Sequence, residues 1–107
     1  MAYRVVLSRR AQQDRDDAFA WYRDNYSEQF AVRWYNGLHA ELLKLETSPM
    51  RGSQAHENHL FPFEVRELLI GTKRNNHRAL YTIHKRAIVV LHFRHTAMSD
   101  LTDEDLL

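Results

Sequence analysis

Apolar and polar positions alternate from residue 2 to residue 7, with Tyr3, Val5 and Leu7 on one side and Arg4 and Val6 on the other. That period of two predicts a strand. Ser8 then offers a hydroxyl to cap a helix, and the period lengthens. From Arg9 to Tyr26 the chain has neither Gly nor Pro, and Ala11, Ala18, Trp21, Tyr22 and Tyr26 recur at helical spacing. Ser27 can cap a second helix reaching Glu46, striped by Phe30, Ala31, Trp34, Tyr35, Leu38, Leu42 and Leu45. At 1.5 Å per residue that helix is roughly 30 Å long. The short joint between the two predicts an antiparallel hairpin, whose aromatic residues suit core packing better than base stacking.

Residues 47–63 hold both prolines and one of the three glycines, and read as a loop. Glu64 to Ile70 reads as a strand closed by Gly71, and Thr72 to Asn76 as a polar turn. His77 to His84 is the next strand, Lys85-Arg86 a tight turn, and Ala87 to His95 the last strand. The order is β-α-α-β-β-β. It predicts an α+β fold in which a helical hairpin packs on a small, mostly antiparallel sheet. A length of 107 residues predicts one domain spanning 1–107.

Composition narrows the class. With 44% hydrophobic and 27% charged residues the chain is globular rather than disordered. Its apolar runs stop at about four or five residues, whereas a membrane-spanning helix needs about 20. The first residues run into a strand pattern without a signal-peptide core. No cysteine is present, which excludes disulfides, thiol nucleophiles and thiolate metal sites and suits the cytoplasm. The net charge is +1, but Glu64 to His95 carries seven basic residues against two acidic ones. Such a half can face nucleic acid, an acidic protein, or simply water. The final eight residues hold Asp100, Asp103, Glu104 and Asp105 and no base.

Seven histidines raise the question of a metal. His92 and His95 stand three apart in a strand and so point to opposite sides. His56 and His59 in the loop have no evident third ligand. Neither a metal nor a cofactor is expected. The arginines are more informative, because strands prefer β-branched and aromatic residues. Arg78, Leu80, Thr82 and His84 share one face of their strand, Ala79, Tyr81 and Ile83 the other. Arg66 sits in mid-strand as well, on a face with Glu64 and Leu68. Two readings stand side by side. Arg66 pairs with Glu64, Glu67 or the acidic tail, or else Arg66, Arg78 and Arg94 converge on a phosphate or carboxylate.

The string Val65-Arg66-Glu67-Leu68, a glycine, then His77-Arg78-Ala79-Leu80-Tyr81 resembles a signature of the RelE/ParE toxin superfamily. Leu7-Ser8 followed by Ala11 and Asp14 is similar to the family's opening strand-to-helix junction. Ser48-Pro49-Met50-Arg51-Gly52 resembles its loop after the second helix, and Val89 to His95 its closing strand. The match keeps its order along nearly the whole chain.

This resemblance implies a RelE/ParE-like fold and the toxin half of a type II toxin–antitoxin pair, neutralised by a cognate antitoxin. It leaves two mechanisms. In the ParE-like branch the toxin poisons DNA gyrase and is no enzyme. In the RelE-like branch it is a metal-independent endoribonuclease acting on mRNA at the ribosome. There Arg66 and Arg78 would hold the phosphate, with Arg94 nearby, and His95 would transfer a proton. An inactive member, acting only as a binding partner, is the third reading. The hairpin pattern of Ala11, Asp14, Ala18, Tyr22, Phe30, Leu38 and Leu42 resembles ParE members. After the last strand, Thr96-Ala97-Met98-Ser99-Asp100 lacks the basic and tyrosine residues of the nucleases. The balance favours the gyrase-directed branch.

Overall fold

The computed structural model describes residues 3–71, 77–96, 100–102 and 105. Its elements are β1 (Arg4–Leu7), α1 (Arg9–Asn25), α2 (Glu28–Leu43), β2 (Ser53–Gln54), β3 (Arg66–Ile70), β4 (His77–His84) and β5 (Ala87–His95). Short 3₁₀ turns follow α2 (Lys44–Glu46) and β2 (His56–Leu60). The strands form one sheet in the order β1-β5-β4-β3-β2. β1 runs parallel to β5, and every other pairing is antiparallel.

The predicted α+β order is present, with three local differences. The loop at 47–63 contains β2 and a 3₁₀ turn. β3 begins at Arg66 rather than Glu64, because the Val65 backbone is spent elsewhere. Its N–H donates to Asn58 Oδ1 at 2.7 Å, and its carbonyl accepts from Ala55 N–H at 2.9 Å. The second helix ends at Leu43 and tightens into the 3₁₀ turn that reaches Glu46. The turn expected at 72–76 lies outside the described residues.

Both serine caps form. Ser8 Oγ accepts from Ala11 N–H and Ser27 Oγ from Phe30 N–H, each at 3.0 Å. The hairpin covers one face of the sheet. There Leu38, Leu42 and Leu45 meet Leu68, Ile70, Ala79, Tyr81, Ile88, Val90 and Phe93. On the opposite face Leu80 joins Val65, Ala55 and Leu101 in a second, smaller cluster. Strand alternation in β4 thus feeds two cores, and its first five residues are all buried. A bulge in β5 keeps the cores in step. Tyr81 pairs with Val90 and Leu80 with His92, leaving Leu91 unpaired. That extra residue switches the side-chain parity, so Val90 and Phe93 both face the hairpin.

β1 stops at Leu7 while β5 runs on to His95, and α1 covers the edge left open. Ser8 N–H donates to Val90 O at 2.9 Å and its hydroxyl to Leu91 O at 3.0 Å. One turn and a half further along, Asp14 Oδ2 accepts from Phe93 N–H at 3.1 Å. Ala11, between them, is fully buried. The junction Leu7-Ser8, Ala11, Asp14 is therefore an architectural device that lets a helix occupy a strand's place. No described helix is long and apolar enough to cross a membrane.

Candidate functional site

Arg78 projects from β4 on the face away from the hairpin and meets Glu57 of the 3₁₀ turn. Its Nη1 donates to Glu57 Oε1 at 3.1 Å and its Nη2 to Oε2 at 2.6 Å. Glu57 is fully buried and Arg78 only 7% exposed. Leu101 N–H donates to Glu57 Oε2 at 2.9 Å. Glu67 and Asp100 carboxylates stand 3.5 and 3.6 Å from the guanidinium. Burial alone would raise the Glu57 pKa. The hydrogen bonds from Arg78 and Leu101 outweigh it and bring the value down to about 2. This guanidinium is thus neutralised from three sides and closed to a phosphate.

Arg66 is committed just as fully, to a different task. Its Nε and Nη2 donate to Gly52 O at 3.1 and 2.6 Å, and Nη2 also reaches Met50 O at 3.4 Å. Nη1 donates to Glu64 Oε1 at 3.3 Å. Tyr81, its cross-strand neighbour, completes the clamp. The Tyr81 hydroxyl donates to Pro49 O at 2.8 Å and accepts from Gly52 N–H at 3.0 Å. Only glycine fits at position 52, since a Cβ would collide with the Glu67 carbonyl and lie 2.7 Å from the Tyr81 hydroxyl. The motifs Ser48 to Gly52, Arg66 and Tyr81 are one loop lock, in which an arginine and a tyrosine bond the Pro49, Met50 and Gly52 carbonyls and the Gly52 N–H.

His95 lies on the hairpin side of β5, opposite His77 of β4, with their rings 5.2 Å apart. His77 is buried against Tyr22 and Trp34, and Tyr22 Oη and His77 Nε2 share a hydrogen bond at 2.8 Å. Burial, reinforced by neighbouring His95, pulls the His77 pKa down to about 4, so its imidazole is neutral at pH 7. Above this cluster a cleft of about 700 Å³ opens between α1 and the ends of β4 and β5. At its rim Asp14 receives Arg10 Nε at 3.1 Å and lies 3.6 Å from His92 Nδ1.

Of the two readings of the arginines, the pairing of Arg66 with Glu64 is present, and the convergence of Arg66, Arg78 and Arg94 does not occur. Registry pairs Arg66 with Tyr81 and Leu69 with Arg78, which puts the two arginines on opposite faces of the sheet. Arg94 is the cross-strand neighbour of Arg78 and shares its face. His95 shares the face of Arg66, but their β4 partners, His77 and Tyr81, are four residues apart, about 13 Å along the strand. A phosphate held by Arg66 and Arg78 and protonated by His95 has no position in this arrangement. Sequence reading missed Glu57, the counterion of Arg78. Its one signal was an arginine in a strand otherwise destined for burial, which requires a buried acid somewhere. The Tyr22–His77 bond was also missed, since His77 read only as a strand start.

A helical hairpin on one face of a five-stranded mixed sheet is the RelE/ParE-like fold that the sequence resemblance implied. The solved structure described as the chromosomal ParDE toxin–antitoxin system from P. aeruginosa matches with a TM-score of 0.71 over 87% of this chain and 95% of that one. At 16% identity that likeness establishes the fold. No curated protein matches the sequence. The family model of the ParE toxin of type II toxin–antitoxin systems, parDE, matches residues 5–100. The chain belongs to the ParE toxin family. The expected toxin class and ParE-like branch are borne out, and membership carries with it an antitoxin partner.

Proposed function

We propose that this toxin acts as a single cytoplasmic domain, arrests growth by poisoning DNA gyrase without catalysis of its own, and is silenced when its antitoxin binds. One observation carries the choice against RNA cleavage. Scission through a 2′-hydroxyl needs an acid, a base and cations within hydrogen-bond reach of one phosphate. Arg66 is spent on backbone carbonyls, Arg78 on buried Glu57, and the two occupy opposite faces of the sheet. The hairpin and the acidic residues after His95 support the same reading, because like charge opposes docking on ribosomal RNA.

The test is to induce the protein without antitoxin and assay gyrase-linked DNA breaks and transcript cleavage in the same culture. Breaks with intact transcripts are expected. Cleaved transcripts beside an undamaged, replicating chromosome would overturn the proposal, and so would the absence of any growth arrest.

A further inference from the structure

Arg10, Arg15, Arg23, Lys44, Arg66 and Arg78 each sit against a carboxylate. Arg4, Lys85 and Arg86 have no such partner among the described residues. All three are exposed, and they meet at one place. Lys85 and Arg86 form the turn between β4 and β5, and Arg4 N–H donates to Arg86 O at 2.9 Å. Arg4 lies beside Ala87 in the sheet and Ala87 beside His84. Arg4 and the exposed His84 thus share a face across three strands, about 10 Å apart. Arg9, Arg33 and Arg51, likewise without a carboxylate among the described residues, stand singly on α1, on α2 and in the loop before β2.

The turn keeps its lysine at a conformational cost. Lys85 has a φ of 56°, the one positive value at a non-glycine position among the described residues. Glycine and asparagine take that conformation more readily, and two-residue hairpin turns favour them. A lysine there gives up some stability and presents an exposed ammonium at the tip, the kind of local strain that points to a function. Beside it the Arg86 guanidinium lies over the Tyr3 ring, 5.2 Å from its centre, which holds the charge in place without neutralising it.

We propose that this turn, with Arg4 beside it, grips the phosphate backbone of duplex DNA. The proposal goes beyond the gyrase reading and does not depend on it. Two acids pack near this end. The Glu46 carboxylate accepts from Val5 N–H at 3.1 Å, and the Glu64 carboxylate is already bonded to Arg66 at 3.3 Å. Three fixed cations therefore face one unbalanced carboxylate. Asp100 stands beside Arg78, and Asp105 within electrostatic reach of Arg94, its cross-strand neighbour. Both lie about 20 Å back along the sheet from the turn, more than two Debye lengths at physiological salt.

Shape and chemistry choose among anionic partners. A protein partner anchors on apolar side chains in a concavity, and its interface core is poor in lysine. The cations of the turn line neither the cleft walled by Trp21 and Tyr26 nor the groove between Trp34 and Ile70. Single strands need free rings on which bases stack, and the Tyr3 ring lies under Arg86. A duplex backbone asks only for projecting cations. The B-form major groove admits a two-stranded turn, whereas the A-form groove of RNA is closed to side chains.

The experiment titrates the purified toxin against a short labelled DNA duplex between about 50 and 200 mM salt, with the matching RNA duplex and the cognate antitoxin as further arms. The variants are K85N and R4Q/K85N/R86Q. R33Q, which removes an exposed arginine elsewhere, is the control, and thermal unfolding checks each fold. Wild type should bind the DNA with log affinity falling against log salt at a slope of about −3, and K85N should flatten that slope by about one. The triple variant should bind at least about tenfold more weakly, while R33Q matches wild type. K85N puts a residue that tolerates the turn in place of one that does not, so it decides the matter should the triple variant fold poorly. Absence of duplex binding by wild type at the lowest salt overturns the proposal, as does wild-type affinity and slope in the folded variants. Tighter binding of the RNA duplex than of the DNA overturns the choice of DNA. Variants that keep the DNA but lose the antitoxin make the turn a protein contact and overturn it too.

Discussion

Arg78 and Glu57, 21 positions apart in sequence, form a two-pronged ion pair whose carboxylate is wholly buried and whose second oxygen also holds the backbone of Leu101. The pair fastens three segments together: the central strand, the turn after β2 and the stretch beyond β5. Removing either partner leaves a buried charge without its counterion, which typically costs about 3–5 kcal/mol. R78A and E57A should both show that loss in urea unfolding. Replacing both together by leucine and methionine should recover much of it. Equal stability of the single variants and wild type would refute the structural role.

The same pair sets a pH dependence. The Glu57 pKa falls on folding from an ordinary 4.5 to about 2. A depressed carboxyl contributes stability that is complete above about 4.5 and is lost as pH falls toward 2. E57Q should be less stable than wild type at pH 6, and the difference should shrink through that window. A constant difference from pH 6 to pH 2.5 would count against the shift.

His77 acts in a neighbouring window. Its pKa is about 4 in the folded protein against an ordinary 6.5, so below pH 6.5 the unfolded chain binds the proton more readily. Wild type should lose stability as pH drops from 6.5 to 4, and H77F should lose distinctly less across that interval. At pH 7.5 H77F should still cost about 1 kcal/mol, because the Tyr22 hydroxyl loses its partner at 2.8 Å. Parallel unfolding curves for the two proteins would contradict the assignment.

Tyr81 tests the loop lock. Y81F deletes one oxygen and strands Gly52 N–H and Pro49 O, which the hydroxyl serves at 3.0 and 2.8 Å. A cost of about 1–3 kcal/mol is expected, the usual penalty for buried polar groups left unpaired. G52A should cost more, since the added carbon meets a backbone carbonyl that cannot swing aside. Faster proteolysis within residues 48–52 of Y81F would report the loosened loop directly.

Ser8 links helix and sheet with one hydroxyl, accepting from Ala11 N–H and donating to Leu91 O. S8A should cost about 1–2 kcal/mol, at the upper end for a helix cap, and should speed amide exchange in the first turn of α1. S8T should retain most of the stability.

Much of this architecture was legible in the chain because periodicity is local. The caps Ser8 and Ser27, the stripe from Phe30 to Leu45 and the alternation around Arg78 each announce their element within a few residues. β2 was not legible, since a two-residue strand exists only by virtue of Glu67 and Arg66 opposite it. The arginines show the limit most clearly. Alternation assigns faces within β3 and within β4, but which face of one matches which face of the other depends on registry. The pairing of Arg66 with Tyr81 settles it. Motif resemblance suggested phosphate chemistry for Arg66 and Arg78, whereas both guanidinium groups are taken up by scaffold contacts. The aromatic cleft escaped notice because Trp21 and Tyr26 sit on a helical stripe that looks like core, and only the limits of the sheet leave them uncovered.

Strand order has a consequence for the life of the polypeptide. Among the described residues β1 has a single partner in the sheet, β5, which lies about 80 residues further along the chain. During synthesis β1 must wait, unpaired, until β5 has emerged. The hairpin can form early from local contacts, but Ser8 and Asp14 find Leu91 and Phe93 only at the end. Loop closure of this length makes assembly late and slow. A chain cut short before β5 therefore lacks the only sheet partner β1 has among the described residues.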